Sequence, residues 1–144
     1  MKIDIDLRDP ASFDHWTDVT IRFSDQDPNQ HVNNTAFAEY CEAGRVDYLT
    51  KVRRNLDMPV MSALASVHID YINQLHYPGT VQVGTRLTRL GGKSYTLSQG
   101  LFFGGKVIAT SEAVLVFFDY RANRSVAVPD PLRRAFEAGQ SLTG

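Results

Sequence analysis

Along residues 34–54 apolar side chains return at every third or fourth position, and from residue 63 onward they return at every second. By periodicity the chain therefore divides into one helix and a run of strands. Ahead of the helix, Val19, Ile21 and Phe23 alternate with Asp18, Thr20 and Arg22, which predicts a half-buried strand over 17–24. A polar loop, Asp25 to Asn33, follows, after which Asn34 or Thr35 is placed to cap a helix running to about Arg54. Its apolar stripe is Phe37, Cys41, Gly44 (or Tyr40), Tyr48 and Val52, with Glu39, Glu42, Arg45 and Asp47 mostly off it. In the strand region Ala63, Ala65, Val67, Ile69 and Tyr71 fall on one face and Leu64, Ser66, His68 and Asp70 on the other. Tyr77-Pro78-Gly79-Thr80 reads as a type II turn into a strand from Val81 to Leu90. Gly91-Gly92 and Gly104-Gly105 read as two-residue hairpins leading to strands over Lys93–Phe103 and Lys106–Phe118. Asp130-Pro131 starts a short helix that Gly139 is placed to end. The sum is an α+β domain, one long helix on an antiparallel meander.

Composition narrows what such a domain does. At 144 residues, 43% of them hydrophobic, with no repeat or linker, the chain reads as one domain over 1–144. Fifteen Lys and Arg against sixteen Asp and Glu leave a net charge of −1, so no global field recruits nucleic acid or an anionic membrane surface. Apolar runs such as Val114–Phe118 are too short to cross a bilayer, and the acidic amino terminus lacks a signal-peptide core, so a cytoplasmic protein is expected. The one cysteine, Cys41, can form neither an intramolecular disulfide nor a Cys-rich metal site. On the helix stripe it reads as a small core residue.

Chemistry concentrates in the loop Ser24-Asp25-Gln26-Asp27-Pro28-Asn29-Gln30-His31-Val32-Asn33-Asn34. Asp25, Asn33 and Asn34 have the residue types that turns and caps favour for local reasons. Asp27 and His31 are not needed for capping and stand just before the positive end of a helix dipole, where negative charge is stabilised. A calcium loop beginning at Asp25 fails at its sixth position, Gln30 in place of glycine, and at its twelfth, Ala36 in place of glutamate. His15, His68 and His76 show no ligand spacing with His31 and read as structural or surface residues, so no metal is expected.

The segment Asp25, Asp27, His31-Val32-Asn33-Asn34, Phe37, Tyr40, Glu42, Arg45 resembles the signature of the 4-hydroxybenzoyl-CoA thioesterase-like branch of the hotdog superfamily. Asp27-x-Asn29-x-His31-Val32-Asn33-Asn34 is also similar to the loop of acyl-carrier-protein thioesterases. The resemblance implies a hotdog fold, a curved antiparallel sheet of about five strands on a central helix with a short C-terminal helix. The activity it implies is hydrolysis of an acyl-CoA, without a cofactor, to the free acid and CoA. Asp27 would be nucleophile or general base, and the backbone amide near Asn34 would polarise the carbonyl. The carrier-protein branch adds Asn29 and His31 to the site, with a further acid on the next strand. Here Tyr71-Ile72-Asn73-Gln74-Leu75 offers none, which leaves Asp27 as the main carboxylate. His31 would act as acid or base, or hold the loop. Glu42 is an alternative carboxylate, but the reading preferred for it is an ion pair with Arg45 one turn later. Arg89, Lys93 and Ser94, on one hairpin, would meet the nucleotide end of CoA. The family pairs its subunits, so a homodimer or homotetramer with sites at the interface is expected. An acyl-carrier-protein thioesterase and a non-catalytic acyl-CoA binding module are the competing functions.

Overall fold

The computed structural model describes residues 2–54, 56 and 62–143, the last five by backbone alone. Strand β1 (His15–Thr20) leads into helix α1 (Asn34–Val52). The strands β2 (Ser62–Tyr71), β3 (Thr80–Leu90), β4 (Ser94–Phe103) and β5 (Lys106–Asp119) follow, then a two-residue β6 (Arg124–Ser125) and helix α2 (Asp130–Thr143). Every strand pair is antiparallel, in the order β1-β3-β4-β5-β2, with β6 added to β5. This is the helix-on-sheet hotdog arrangement.

Two apolar clusters fix α1 to the sheet. Phe37, Tyr40 and Cys41 meet Val81, Val83, Leu101 and Ile108, while Tyr48 and Leu49 meet Leu87, Tyr95, Leu97 and, from α2, Leu132 and Phe136. Gly44 lets the helix approach closely, since a Cβ there would lie 2.6 Å from a methyl of Val83 and 2.8 Å from Gln99 Nε2. The far edge strand β2 nevertheless shares a groove with α1, lined by Leu64, Val67 and Ile69 on one side and Ala38, Cys41 and Arg45 on the other. The sheet curves round the helix to make both contacts.

Several local expectations are corrected. Strand β1 ends at Thr20 rather than near 24, because Asp25 captures the Arg22 backbone and turns Phe23–Asp25 into a 3-10 turn. The helix cap is Asn33, whose Oδ1 accepts from Thr35 N at 3.1 Å, so Asn34 is the first helical residue. A register shift between Leu64 and Ser66 moves Leu64 onto the face of Val67 and Ile69, against strict alternation. Gly104 and Gly105, at φ 59° and 81°, make the expected two-residue hairpin, whereas neither Gly91 nor Gly92 has positive φ and their link closes through Gly91 N to Ser94 O at 2.8 Å. Gly79 lies at φ 145°, outside the type II range. Helix α2 continues through Gly139 to Thr143. Among the described residues no helix is long and apolar enough to cross a membrane.

Candidate active site

The two acids of the Asp25-x-Asp27 pair have opposite surroundings. Asp25 is buried, and its carboxylate is saturated. Oδ2 accepts from the Arg22 backbone at 2.8 Å and from Tyr40 Oη at 2.6 Å, and Oδ1 accepts from Arg22 Nε at 2.9 Å. Arg22 also reaches Glu39. Burial alone would raise the Asp25 pKa, but the bonds from Tyr40 and Arg22 outweigh it and hold the carboxyl below its ordinary value. The Asp25 carbonyl accepts from Asn33 N at 2.8 Å, which links this support to the helix cap. Asp25 is thus structural, as its residue type and position suggest.

Asp27 lies on a tight hairpin. Its N–H donates to His31 O at 2.7 Å, its carbonyl accepts from Gln30 N at 3.0 Å, and Gln26 bridges Val32. Its Oδ1 accepts from the amides of Asn29 at 2.8 Å and His31 at 3.2 Å, which leaves Oδ2 without a partner among the described residues. The hairpin needs one left-handed residue and uses Gln30, at φ 64°. Gln30→Gly is therefore expected to raise the unfolding free energy by about 0.5–1 kcal/mol. Urea denaturation checks this, and an unchanged or lower midpoint would count against strain at Gln30.

Asp27, His31 and Asn34 come together on a cleft of about 330 Å³, whose other walls include Phe37, Tyr71, Asn73 and Gln74. The Asn34 amide, first in the helix, makes no hydrogen bond among the described residues, so an oriented N–H is available at the helix N-terminus. Asn29 is exposed and outside the cleft, where its backbone rather than its side chain serves Asp27. Arg89, Lys93 and Ser94 are not near Asp27 within the chain. They lie at the opposite end of β3 and β4, roughly 30 Å away along an eleven-residue strand. Arg89 instead lines a larger cavity of about 400 Å³ on the other sheet face, with Lys2, Asp4, His68 and Glu112. That cavity carries charges of both signs and none of the loop residues.

Sequence reasoning missed two contacts at the cleft. Tyr71 Oη donates to the Asn34 carbonyl at 3.3 Å, tying the end of β2 to the helix start. His76 packs edge-to-face on His31 with ring centroids 4.9 Å apart. Neither has a local signal, since the partners are 37 and 45 positions apart. The other histidines are structural or on the surface: His15 bonds Asp47 at 3.0 Å, and burial outweighs Asp47 to lower its pKa, while exposed His68 bonds Asp70 at 2.8 Å. Cys41 is in the core, and burial raises its thiol pKa. No group of three or more His, Cys, Asp or Glu able to hold a metal occurs among the described residues. Arg45, placed off the apolar stripe by its charge, is buried, and the expected ion pair with Glu42 does not form within 4 Å.

Known proteins match both the sequence and the fold. The family described as the thioesterase-like superfamily matches residues 21–136. Long-chain acyl-CoA thioesterase FadM of Escherichia coli is 26% identical over 126 residues, 84% of this chain and 96% of that protein. Among solved structures, a thioesterase from Thermus thermophilus complexed with coenzyme A and zinc is 26% identical with a TM-score of 0.80, covering 90% of this chain and 96% of its own. A predicted thioesterase from Bacillus stearothermophilus is 29% identical with a TM-score of 0.79, covering 85% and 93%. The matched span contains the Asp27 loop, α1 and all four long strands, and on that ground the chain belongs to the thioesterase-like superfamily, a thioester hydrolase on the hotdog fold.

Proposed function

We propose that the protein hydrolyses acyl-CoA thioesters, with Asp27 as the reacting carboxylate and the Asn34 amide as the carbonyl-polarising donor. The observation that carries this is the asymmetry of Asp27. Two backbone amides hold Oδ1 while Oδ2 is left unpaired beside a free helix-start N–H on a common cleft. As general base, Oδ2 takes a proton from water as its oxygen attacks the carbonyl. As nucleophile, it forms a mixed anhydride that water then opens. On either route the oxyanion develops against the helix N-terminus, and collapse expels the CoA thiolate, which is protonated to the thiol. Acyl-CoA as substrate is supported by the resemblance to FadM and to a thioesterase that binds coenzyme A.

The carrier-protein form of the mechanism is the weaker reading, because Asn29 stands outside the cleft and residues 71–75 contribute amides in place of an acid. His31 serves the loop through its backbone bond to Asp27 and the cleft through its ring. Within one subunit Arg89, Lys93 and Ser94 are too far from the cleft to meet a CoA bound there, so a phosphate role for them would need a second subunit, and a two-fold copy joined antiparallel along β2 would carry its hairpin to the cleft's end of the sheet. A panel of short, long, aryl and hydroxylated acyl-CoAs, assayed by thiol release, should show one class turned over well above the rest. Equal, very slow rates across the panel would defeat acyl-CoA as the substrate.

A further inference from the structure

We propose that His76 is a positioning residue of the reaction, one that stands outside the cleft and holds the His31 ring and the Asp27 hairpin in their working geometry. The inference rests on the acyl-CoA reading above and adds to it a residue that does not touch the substrate. The His31 ring lines the cleft with Asp27, yet among the described residues it makes no hydrogen bond that would fix its plane. What it meets is the ring of His76, edge-to-face, with centroids 4.9 Å and planes 77° apart. The His76 ring is oriented in turn by its Nδ1, which lies 3.4 Å from the Gln30 carbonyl oxygen. A carbonyl can only accept, so this contact places a proton on Nδ1.

Three successive residues of the connection between β2 and β3 grip the segment that carries Asp27. The Leu75 carbonyl accepts from Val32 N at 2.8 Å, His76 meets His31 and Gln30, and the Tyr77 ring stands edge-to-face on Phe23 with centroids 5.6 Å apart. The contacts on either side fix the path of the chain, so the His76 side chain arrives at a set place. Gln30 is the left-handed residue of the hairpin, and its two neighbours, Asn29 and His31, donate the amides that hold Asp27 Oδ1. A bond to the Gln30 carbonyl therefore steadies the stretch of backbone on which both Asp27 contacts depend. Without the His76 ring, His31 is free to change rotamer and the hairpin keeps only its backbone ties. A displacement of about 1 Å at reacting groups can cost about 100-fold in rate. His76 is not among the residues lining the cleft, so its loss should fall on kcat rather than on KM.

His76→Ala should lower kcat on the best acyl-CoA by about 10–100-fold with KM within about 2-fold of wild type. His76→Phe keeps a ring against His31 without the Nδ1 proton and should recover most of that loss. His76→Asn keeps an N–H near the place of Nδ1 without the ring and should stay as slow as His76→Ala. Normal kcat in His76→Ala, a loss that appears in KM alone, or recovery by Asn and not by Phe would overturn the proposal. Should His76→Ala not fold, the comparison of Phe with Asn decides in the same way. A second measurement needs no substrate. In proton spectra of the histidine rings, His31 should show cross-relaxation with His76, and its resonances should move in His76→Ala, where the neighbouring ring current is lost. Unmoved His31 resonances in that variant would overturn the positioning by His76 alone. A wild type that releases no thiol from any acyl-CoA would instead defeat the acyl-CoA reading, and with it the catalytic role given to His76.

Discussion

Asp27→Asn is expected to lower kcat on the best acyl-CoA by roughly 10²–10⁴-fold with KM little changed, a barrier increase of about 3–5 kcal/mol. The amide keeps an oxygen to accept from the Asn29 and His31 amides, so the hairpin and the cleft survive. What is lost is the unpaired Oδ2, the atom to which the proposed mechanism gives the proton transfer or the attack. The companion measurement is a single turnover in ¹⁸O-labelled water. A first-turnover acid without label identifies a nucleophilic Asp27 whose anhydride is opened by water at the aspartyl carbonyl, which leaves the label on Asp27, whereas a labelled acid is given both by a general base and by water opening the anhydride at the acyl carbonyl. Near-normal turnover by Asp27→Asn, with folding confirmed by circular dichroism, would remove Asp27 from the chemistry and leave the helix N-terminus as an isolated feature.

What the amino-acid sequence makes legible, and what it does not, divides by the range of the forces involved. Strands β3 to β5 follow the period-two pattern because their side chains alternate between α1 and the outer face. Gly104-Gly105 is legible because the tight hairpin needs two left-handed residues in sequence. The Asp27 loop is legible as a motif, and its residue types point to the cleft that the structure forms. The misreadings come from partners distant in sequence or from single-residue slips. Leu64 changes face through a register shift that alternation cannot show. Arg45 reads as a surface charge because charged residues are seldom buried, yet it lies in a groove beside an unpaired edge. Arg89 and Lys93 share a hairpin in sequence and suggest a phosphate site, but only the strand register reveals that they are a sheet's length from Asp27. His76 meets His31 because the Leu75 carbonyl accepts from Val32 N at 2.8 Å and pins the two loops together.

The second large effect falls on stability, at the other acid of the pair. Asp25→Asn should cost about 2–4 kcal/mol, because a buried carboxylate accepting charge-assisted bonds gives way to a neutral amide whose N–H₂ must face Arg22 or Tyr40. Tyr40→Phe, which removes one donor and leaves the carboxylate, should cost about 1–2 kcal/mol. The pH dependence fixes the sign. With its folded pKa below the ordinary 3.8, Asp25 contributes stability that is fully present above that value and is lost as pH falls through the lower folded pKa. Urea unfolding at fixed protein concentration should therefore separate wild type from Asp25→Asn most clearly near pH 7, with the gap narrowing below about pH 3.8. A gap that stays constant down to pH 2 would mean that packing, not charge, holds Asp25 in place. Catalysis should fall along with stability in this variant, since the Asp25 backbone holds Asn33 and its side chain sets the turn that presents Asp27. Tyr40→Phe should keep most of the activity, because Arg22 still saturates the carboxylate.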